Sequence, residues 1–117
     1  MIKQGEIYLV NFAKKYHSEF GKIRPAVILQ NNFLNRALPL SRFQGVLLVP
    51  LSTQNIETEY KIEIAPRDNL KEKSYVVVNW ICTLDFKRVL VDKGVITTLS
   101  EEELMALKKR ICSLMEP

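Results

Sequence analysis

The chain has 117 residues, of which 47% are hydrophobic and 26% are charged, and its formal net charge is +4. This length predicts a single domain over residues 1–117 that can fold without a disulfide or a metal. Four glycines and five prolines exclude the collagen-like and low-complexity classes. Neither a secretory signal nor an apolar run of roughly 18 residues is visible. We therefore expect a cytoplasmic protein that does not associate with membranes.

The residue types that most often bind metals are scarce. Cys82 and Cys112 are isolated in the sequence and lack metal-ligand spacing, which predicts reduced and buried thiols. His17 is the only histidine, which argues against a histidine-based metal site. A single histidine in a loop is more typical of a bystander than of a general base.

The first half of the chain reads as short β-strands separated by loops. Gly5–Phe12 predicts a strand that alternates around Ile7, Leu9 and Phe12, with Tyr8 and Val10 on the other face. Pro25–Asn31 and Val46–Val49 are continuous apolar runs, which predict strands buried on both faces. Between them, residues 32–43 predict a short helical turn that stops before Pro39.

Further strands are predicted in the second half. Tyr60–Ile64 alternates and predicts a strand with one solvated face. Ser74–Leu84 is rich in Val, Tyr and Trp, which is typical of a strand. Arg88–Val91 and Val95–Thr97 read as short extended segments on either side of a turn at residues 92–94.

The last segment changes period and predicts one helix. Ser100 and Glu103 form a capping box, and apolar residues follow at helical spacing on one face, at Leu104, Leu107, Ile111 and Leu114. We expect this face to pack on the strands or on a second subunit. The fold class is therefore mostly β, a small barrel with a C-terminal α-helix, because barrel closure removes exposed strand edges.

The positive charge is concentrated in the first half of the chain. Residues 1–58 hold seven Lys/Arg and three Asp/Glu, whereas residues 59–117 hold ten of each. The excess comes from Lys14, Lys15, Lys22, Arg24, Arg36 and Arg42, with Glu19 among them. It indicates either a solvated basic face or a surface that binds nucleic acid or an acidic partner.

Few residues remain as candidates for chemistry, because the chain lacks a phosphate-binding glycine loop, a nucleophile elbow and a zinc-protease motif. Arg24 precedes the buried strand at Pro25, and its planar set of donors fits a phosphate. Ser52 and Thr53 end the next buried strand, where a hydroxyl could bind the same phosphate. Glu19 could accept a proton from a ribose 2′-hydroxyl. The structural alternatives are an ion pair of Glu19 with Arg24 and a simple turn at Ser52.

Four sequence blocks together resemble the PemK/MazF toxin family. They are Gly5-Glu6-Ile7-Tyr8-Leu9-Val10, then Ser18-Glu19 with Gly21, then Arg24-Pro25-Ala26-Val27-Ile28-Leu29, and finally Val49-Pro50-Leu51-Ser52-Thr53-Gln54. Thr83-Leu84-Asp85, Arg88 and the helical end fit the same pattern. The resemblance runs from about Gly5 to the C-terminal helix.

This resemblance implies an SH3-like barrel that acts as a homodimer and as the toxin of a type II toxin–antitoxin pair. The implied activity is a metal-independent endoribonuclease, without cofactors, that cuts single-stranded mRNA at short motifs. Attack of the 2′-hydroxyl would leave a 2′,3′-cyclic phosphate and a 5′-hydroxyl. The implied partner is an acidic antitoxin. The family's catalytic arginine, hydroxyl and loop glutamate correspond to Arg24, Ser52 and Glu19.

Residues around these three are expected to bind the RNA: Lys14, Lys15, Phe20, Lys22, Thr53 and Gln54. The chain departs from the family pattern at Ser52, where threonine is usual, and at Asn79-Trp80 and Cys82. Trp80 could belong to the core or provide a platform for stacking a base. The competing hypothesis for function is a non-catalytic barrel that binds nucleic acid or inhibits a protein target, as the CcdB toxins do.

Overall fold

The computed structural model describes residues 1–13, 16 and 21–117. These residues form seven β-strands, two α-helices and four short 3₁₀ turns. The strands are β1 (Glu6–Asn11), β2 (Ile23–Ile28), β3 (Gly45–Ser52), β4 (Lys61–Ile64), β5 (Ser74–Val77), β6 (Cys82–Asp85) and β7 (Thr97–Thr98). The helices are α1 (Asn32–Ala37) and α2 (Glu101–Ser113), and the 3₁₀ turns are Leu38–Leu40, Val78–Trp80, Phe86–Arg88 and Val91–Lys93.

The strands form one antiparallel sheet that curls into a half-barrel around β3. Its order is β4-β5-β3-β2-β1-β7, and β6 pairs with β3 as well. Three strands share β3: β6 pairs with its start at residues 45–48, β2 with its middle at residues 48–50 and β5 with its end at residues 51–52. The predicted mostly β barrel fold with a C-terminal helix is confirmed.

The central strands are covered on both faces. Side chains alternate along a strand, so Tyr8, Ala26 and Ile28 enter one apolar cluster and Ile7 and Val27 enter the other. This arrangement explains why β2 is continuously apolar from Pro25 onwards rather than alternating. The predicted burial of this strand on both faces is confirmed.

The predicted strand Ser74–Leu84 is interrupted. After β5, a 3₁₀ turn at Val78–Trp80 redirects the chain before β6 begins. The interruption is required because β5 pairs with the end of β3, whereas β6 pairs with its start. A composition rich in β-forming residues does not reveal which part of the partner strand each half will join.

Helix α2 closes the half-barrel as predicted. Both hydrogen bonds of its Ser100–Glu103 capping box are present. Leu107 is fully buried, and the other three residues of its apolar stripe pack on the cluster that contains Ile7. No helix in the described part of the chain is long and apolar enough to cross a membrane.

The prediction of two buried thiols is wrong for Cys112 and only partly met by Cys82. Cys82 is half-buried on β6, and its burial raises the pKa of the thiol. Cys112 is exposed. It follows Ile111 directly, which places it about 100° around the helix from the apolar stripe.

Candidate active site

Arg24 is the second residue of β2, a strand that lies between β3 and β1 in the sheet. It pairs with Val10 across β1, and Pro25 fixes the backbone that follows it. Its Nε donates a hydrogen bond to the carbonyl of Gly21 (3.3 Å) and its Nη1 donates to the carbonyl of Leu51 (3.4 Å). The guanidinium is therefore held between two segments of backbone. Its partial burial lowers the pKa of Arg24, but an arginine stays charged at neutral pH.

Ser52 ends β3 beside this guanidinium, because β2 and β3 are antiparallel neighbours. It pairs with Tyr75 across β5. The backbone N–H of Gln54 donates a hydrogen bond to the Ser52 Oγ (3.1 Å). The hydroxyl is the acceptor in this bond, so its own hydrogen can be donated to an anion.

A cleft of about 340 Å³ brings the predicted residues together. It is lined by Arg24, Pro25, Leu51, Ser52, Thr53, Gln54 and Ser74. Two sequence blocks separated by some 25 residues thus meet at one hollow, as the antiparallel pairing requires. A guanidinium and several hydroxyls around one hollow form a site suited to a phosphate group.

Sequence reasoning missed Ser74 as part of this cleft. Ser74 is 3% exposed, and its Oγ donates to the carbonyl of Glu72 (3.0 Å). It precedes Tyr75, the strand partner of Ser52. Only the pairing of β3 with β5 could have revealed this position, and the sequence does not display that pairing.

Lys61 was also missed, although it fixes the loop that follows Ser52. Its Nζ donates to the Oδ1 of Asn55 and to the carbonyl of Ile56 (2.9 Å). The same ammonium lies 5.4 Å from the centre of the Tyr75 ring. Lys61 therefore ties the loop to β5, on which Ser52 is paired. We call these contacts the Lys61 clamp.

The remaining predicted substrate-binding residues are not part of the described cleft. Lys22 is exposed, has a positive φ of 64° and accepts a hydrogen bond from the N–H of Phe12 through its carbonyl (2.9 Å). Its side chain does not line the hollow. Four predicted residues lie outside the described part of the chain: Lys14, Lys15, Glu19 and Phe20.

Trp80 lies at the surface and not in the core. It is 37% exposed. A separate hollow of about 190 Å³ is lined by Trp80 together with Phe12, Ala13, Pro50, Cys82, Leu84 and Arg88. Trp80 and Cys82, at which the chain departs from the family pattern, therefore line a hollow separate from the Arg24–Ser52 cleft.

Comparison with known proteins identifies the family to which this chain belongs. A family model described as the PemK-like, MazF-like toxin of type II toxin–antitoxin systems matches residues 3–115. A curated relative, the Endoribonuclease MazF of Staphylococcus epidermidis, is 31% identical over 105 residues, which are 90% of this chain and 83% of the relative. The chain therefore belongs to the PemK/MazF toxin family.

Solved structures agree on the fold. A crystal structure of MazF from Deinococcus radiodurans superposes with a TM-score of 0.76 at 14% identity, covering 99% of this chain and 97% of that one. An endoribonuclease in complex with its cognate antitoxin from a mycobacterial species gives a TM-score of 0.72 at 19% identity, covering 100% and 98%. These similarities establish that the half-barrel with a C-terminal helix is the MazF fold.

Proposed function

We propose that this chain is a toxin that cleaves single-stranded mRNA at short sequence motifs without a metal or another cofactor. Membership of the PemK/MazF family supports this function, as does the relative named as an endoribonuclease. The observation that carries the proposal is the cleft that Arg24 and Ser52 both line. The reaction needs a site that binds one phosphate and stabilises added negative charge.

The reaction exchanges one phosphodiester bond for another. The ribose 2′-oxygen attacks the adjacent phosphorus and loses its proton, while the bond to the 5′-oxygen of the next nucleotide breaks. The 5′-oxygen gains a proton, so the products are a 2′,3′-cyclic phosphate and a 5′-hydroxyl. Charge increases on the phosphoryl oxygens during this step, and preorganised donors at that point lower the barrier.

Arg24 is the proposed source of this stabilisation. Its two backbone hydrogen bonds fix the guanidinium before RNA binds, so little reorganisation is needed during the reaction. It can also protonate the departing oxygen, because an alkoxide is a stronger base than a neutral guanidine. Burial lowers the pKa of Arg24, which makes this transfer easier.

Ser52 is proposed to orient the phosphate by donating its hydroxyl hydrogen, while Thr53 and Gln54 bind the RNA beside it. Glu19 is proposed to remove the 2′-hydroxyl proton. The basic loop residues Lys14, Lys15 and Lys22 would contact flanking phosphates, and Phe20 would stack on a base. These roles follow from the family resemblance and from the chemistry of the side chains.

The proposed partners are an acidic antitoxin and a second copy of this chain. The mycobacterial endoribonuclease and the Deinococcus radiodurans MazF have both been solved with antitoxins. An acidic, flexible antitoxin tail could fold onto the basic surface and exclude RNA. We propose that the toxin acts as a homodimer and in the cytoplasm, where mRNA is translated.

The alternative of a non-catalytic barrel is less well supported. The family match and the Arg24–Ser52 cleft both favour the enzyme.

An RNA cleavage assay in excess chelator tests the proposal. The purified protein should cut a mixture of single-stranded RNAs, and the fragments should carry 2′,3′-cyclic phosphate and 5′-hydroxyl ends. Mapping the ends gives the cleavage motif. Intact RNA across varied sequences would refute the nuclease, and cleavage that stops in the chelator would refute metal independence.

A further inference from the structure

A second hollow adjoins the Arg24–Ser52 cleft, and Thr53 is the one predicted site residue that lines it. This hollow has a volume of about 380 Å³. It shares Pro25, Thr53 and Ser74 with the cleft. The two hollows therefore lie side by side; together we call them the trough, and Arg24 lines only the first of them.

The floor and the rim of the trough differ in character. Leu9, Leu70, Val95 and Ile96 contribute apolar surface to the second hollow. Lys71 and Lys93 stand on its rim and are both exposed. Single-stranded RNA offers both matching features, since its bases and sugars have apolar faces and its phosphates are anionic.

The two lysines come from separate connections. Lys71 belongs to the segment between β4 and β5, and Lys93 ends the 3₁₀ turn at Val91–Lys93. Within the described part of the chain, the ion pairs are Arg67–Glu103 and Lys73–Glu63, so neither rim ammonium is neutralised by a carboxylate. Glu72 shares the rim and opposes an anion there. The net charge of these three side chains still favours a phosphate.

We propose that the trough holds a nucleotide adjacent to the cut, with its phosphate between Lys71 and Lys93. The inference rests on the proposed ribonuclease function and extends the RNA site beyond the basic N-terminal loops. The nucleotide's sugar and base would cover the apolar floor, while the scissile phosphate lies at Arg24 and Ser52. The RNA strand would therefore run from Arg24 and Ser52 towards Lys71 and Lys93.

Replacing both lysines by alanine tests the proposal. Lys71→Ala with Lys93→Ala should raise KM about 10-fold at low salt and leave kcat unchanged, because two phosphate contacts are lost. The dependence of log KM on log salt should become shallower by about 1.4, since each contact to single-stranded RNA contributes roughly 0.7. The charge-preserving pair Lys71→Arg with Lys93→Arg should keep the wild-type KM.

Two further variants test whether the effect comes from this site or from the net charge of the protein. Glu72→Gln removes the opposing charge and should lower KM about 2-fold, which is an effect of opposite sign. Lys3→Ala with Lys108→Ala removes the same number of charges elsewhere. Lys108 contacts Gln4, whose side chain bonds the carbonyl of Leu29 just beyond the far end of β2. This control pair should leave KM within 2-fold.

The length of the RNA provides a second readout. Trimming the RNA on the side that occupies the trough should raise the KM of the wild-type protein about as much as the double lysine variant does. On the trimmed RNA, the wild-type protein and the lysine variant should then have the same KM. An unchanged KM and salt dependence in the lysine variant would overturn the proposal, as would an equal loss in the Lys3/Lys108 control. If the wild-type protein cuts no RNA at all, the proposed function fails, and that outcome is distinct from a trough variant that behaves like the wild type.

Discussion

Arg24 and Arg67 are both partly buried arginines at the rim of the half-barrel, yet their surroundings assign them different tasks. Arg67 donates to both carboxylate oxygens of Glu103 (2.7 and 2.9 Å) and to the carbonyl of Thr98 (3.1 Å). Arg24 donates to the carbonyls of Gly21 and Leu51 and lines an open cleft. The pKa of Arg67 is raised by its bonds to Glu103, whereas burial lowers the pKa of Arg24.

The difference shows how one side-chain type is used for stability and for binding. Arg67 joins the segment after β4 to the first turn of α2, and its charge is matched by a carboxylate. Arg24 donates to the carbonyls of Gly21 and Leu51 and lines a hollow that can admit an anion. Variants at and around the two arginines should therefore separate loss of activity from loss of stability.

After Arg24 itself, the largest of these effects is expected at the hydroxyl beside it. Ser52→Ala should lower kcat on the order of 10²-fold, as removal of a single preorganised donor does. Thr53→Ala should have a smaller effect, which is concentrated in KM. Single-turnover cleavage measures both. A larger loss of kcat in Thr53→Ala would make Thr53 the working hydroxyl.

The next effect is on stability and belongs to Arg67. Arg67→Ala should lower the free energy of unfolding by about 2 kcal/mol, because the Glu103 carboxylate loses a bidentate partner. Urea denaturation measures the change. Cleavage by the folded protein should be retained, and a selective loss of activity at full stability would contradict the structural role.

The Lys61 clamp is a structural contact that should still affect activity, because it fixes the loop that follows Ser52. Lys61→Met keeps the length of the side chain but removes the donors to Asn55 and Ile56. We expect a loss of about 10-fold in kcat with little change in KM, because small displacements of reacting groups are costly. Asn55→Ala should give a weaker form of the same change. A rise in KM alone would indicate that Lys61 contacts RNA directly.

The smallest effect concerns pH. The bonds from Arg67 hold the pKa of Glu103 below its usual range. A carboxylate whose pKa is lower in the folded state stabilises the protein above its unfolded pKa of about 4.3, and that stability is lost as the pH falls through the folded value. Glu103→Gln should therefore cost about 1 kcal/mol at neutral pH and flatten the loss of stability in acid. Thermal unfolding between pH 7 and pH 3 would show an unchanged acid slope if Glu103 contributed nothing.

The sequence predicted most of the fold because its local signals agree with the final structure. The apolar runs of β2 and β3, the capping box at Ser100 and the stripe on α2 all report burial directly. The break after β5 could not be predicted, because it depends on which part of β3 each strand joins. The exposure of Cys112 was missed because the cysteine adjoins the stripe in sequence and not in space.

The candidate site was predictable to the extent that it lies in contiguous motifs. Arg24 and Ser52-Thr53-Gln54 were found because each follows or precedes a buried strand. Ser74 and the Lys61 clamp were not found, because only the pairing of β4, β5 and β3 brings Ser74 to the cleft and Lys61 to the loop beside it. The roles of Glu19, Lys14 and Lys15 stay predictions, since these residues lie outside the described part of the chain.

The most direct test compares Arg24→Ala with Arg67→Ala at equal concentrations of folded protein. Single-turnover cleavage of a single-stranded RNA should fall at least about 10³-fold in Arg24→Ala. The rate of the folded Arg67→Ala protein should stay within about 2-fold of the wild type, since its contacts are structural. Similar rates for the two variants, or cleavage by Arg24→Ala within about 10-fold of the wild type, would contradict the assignment of Arg24 to the reaction.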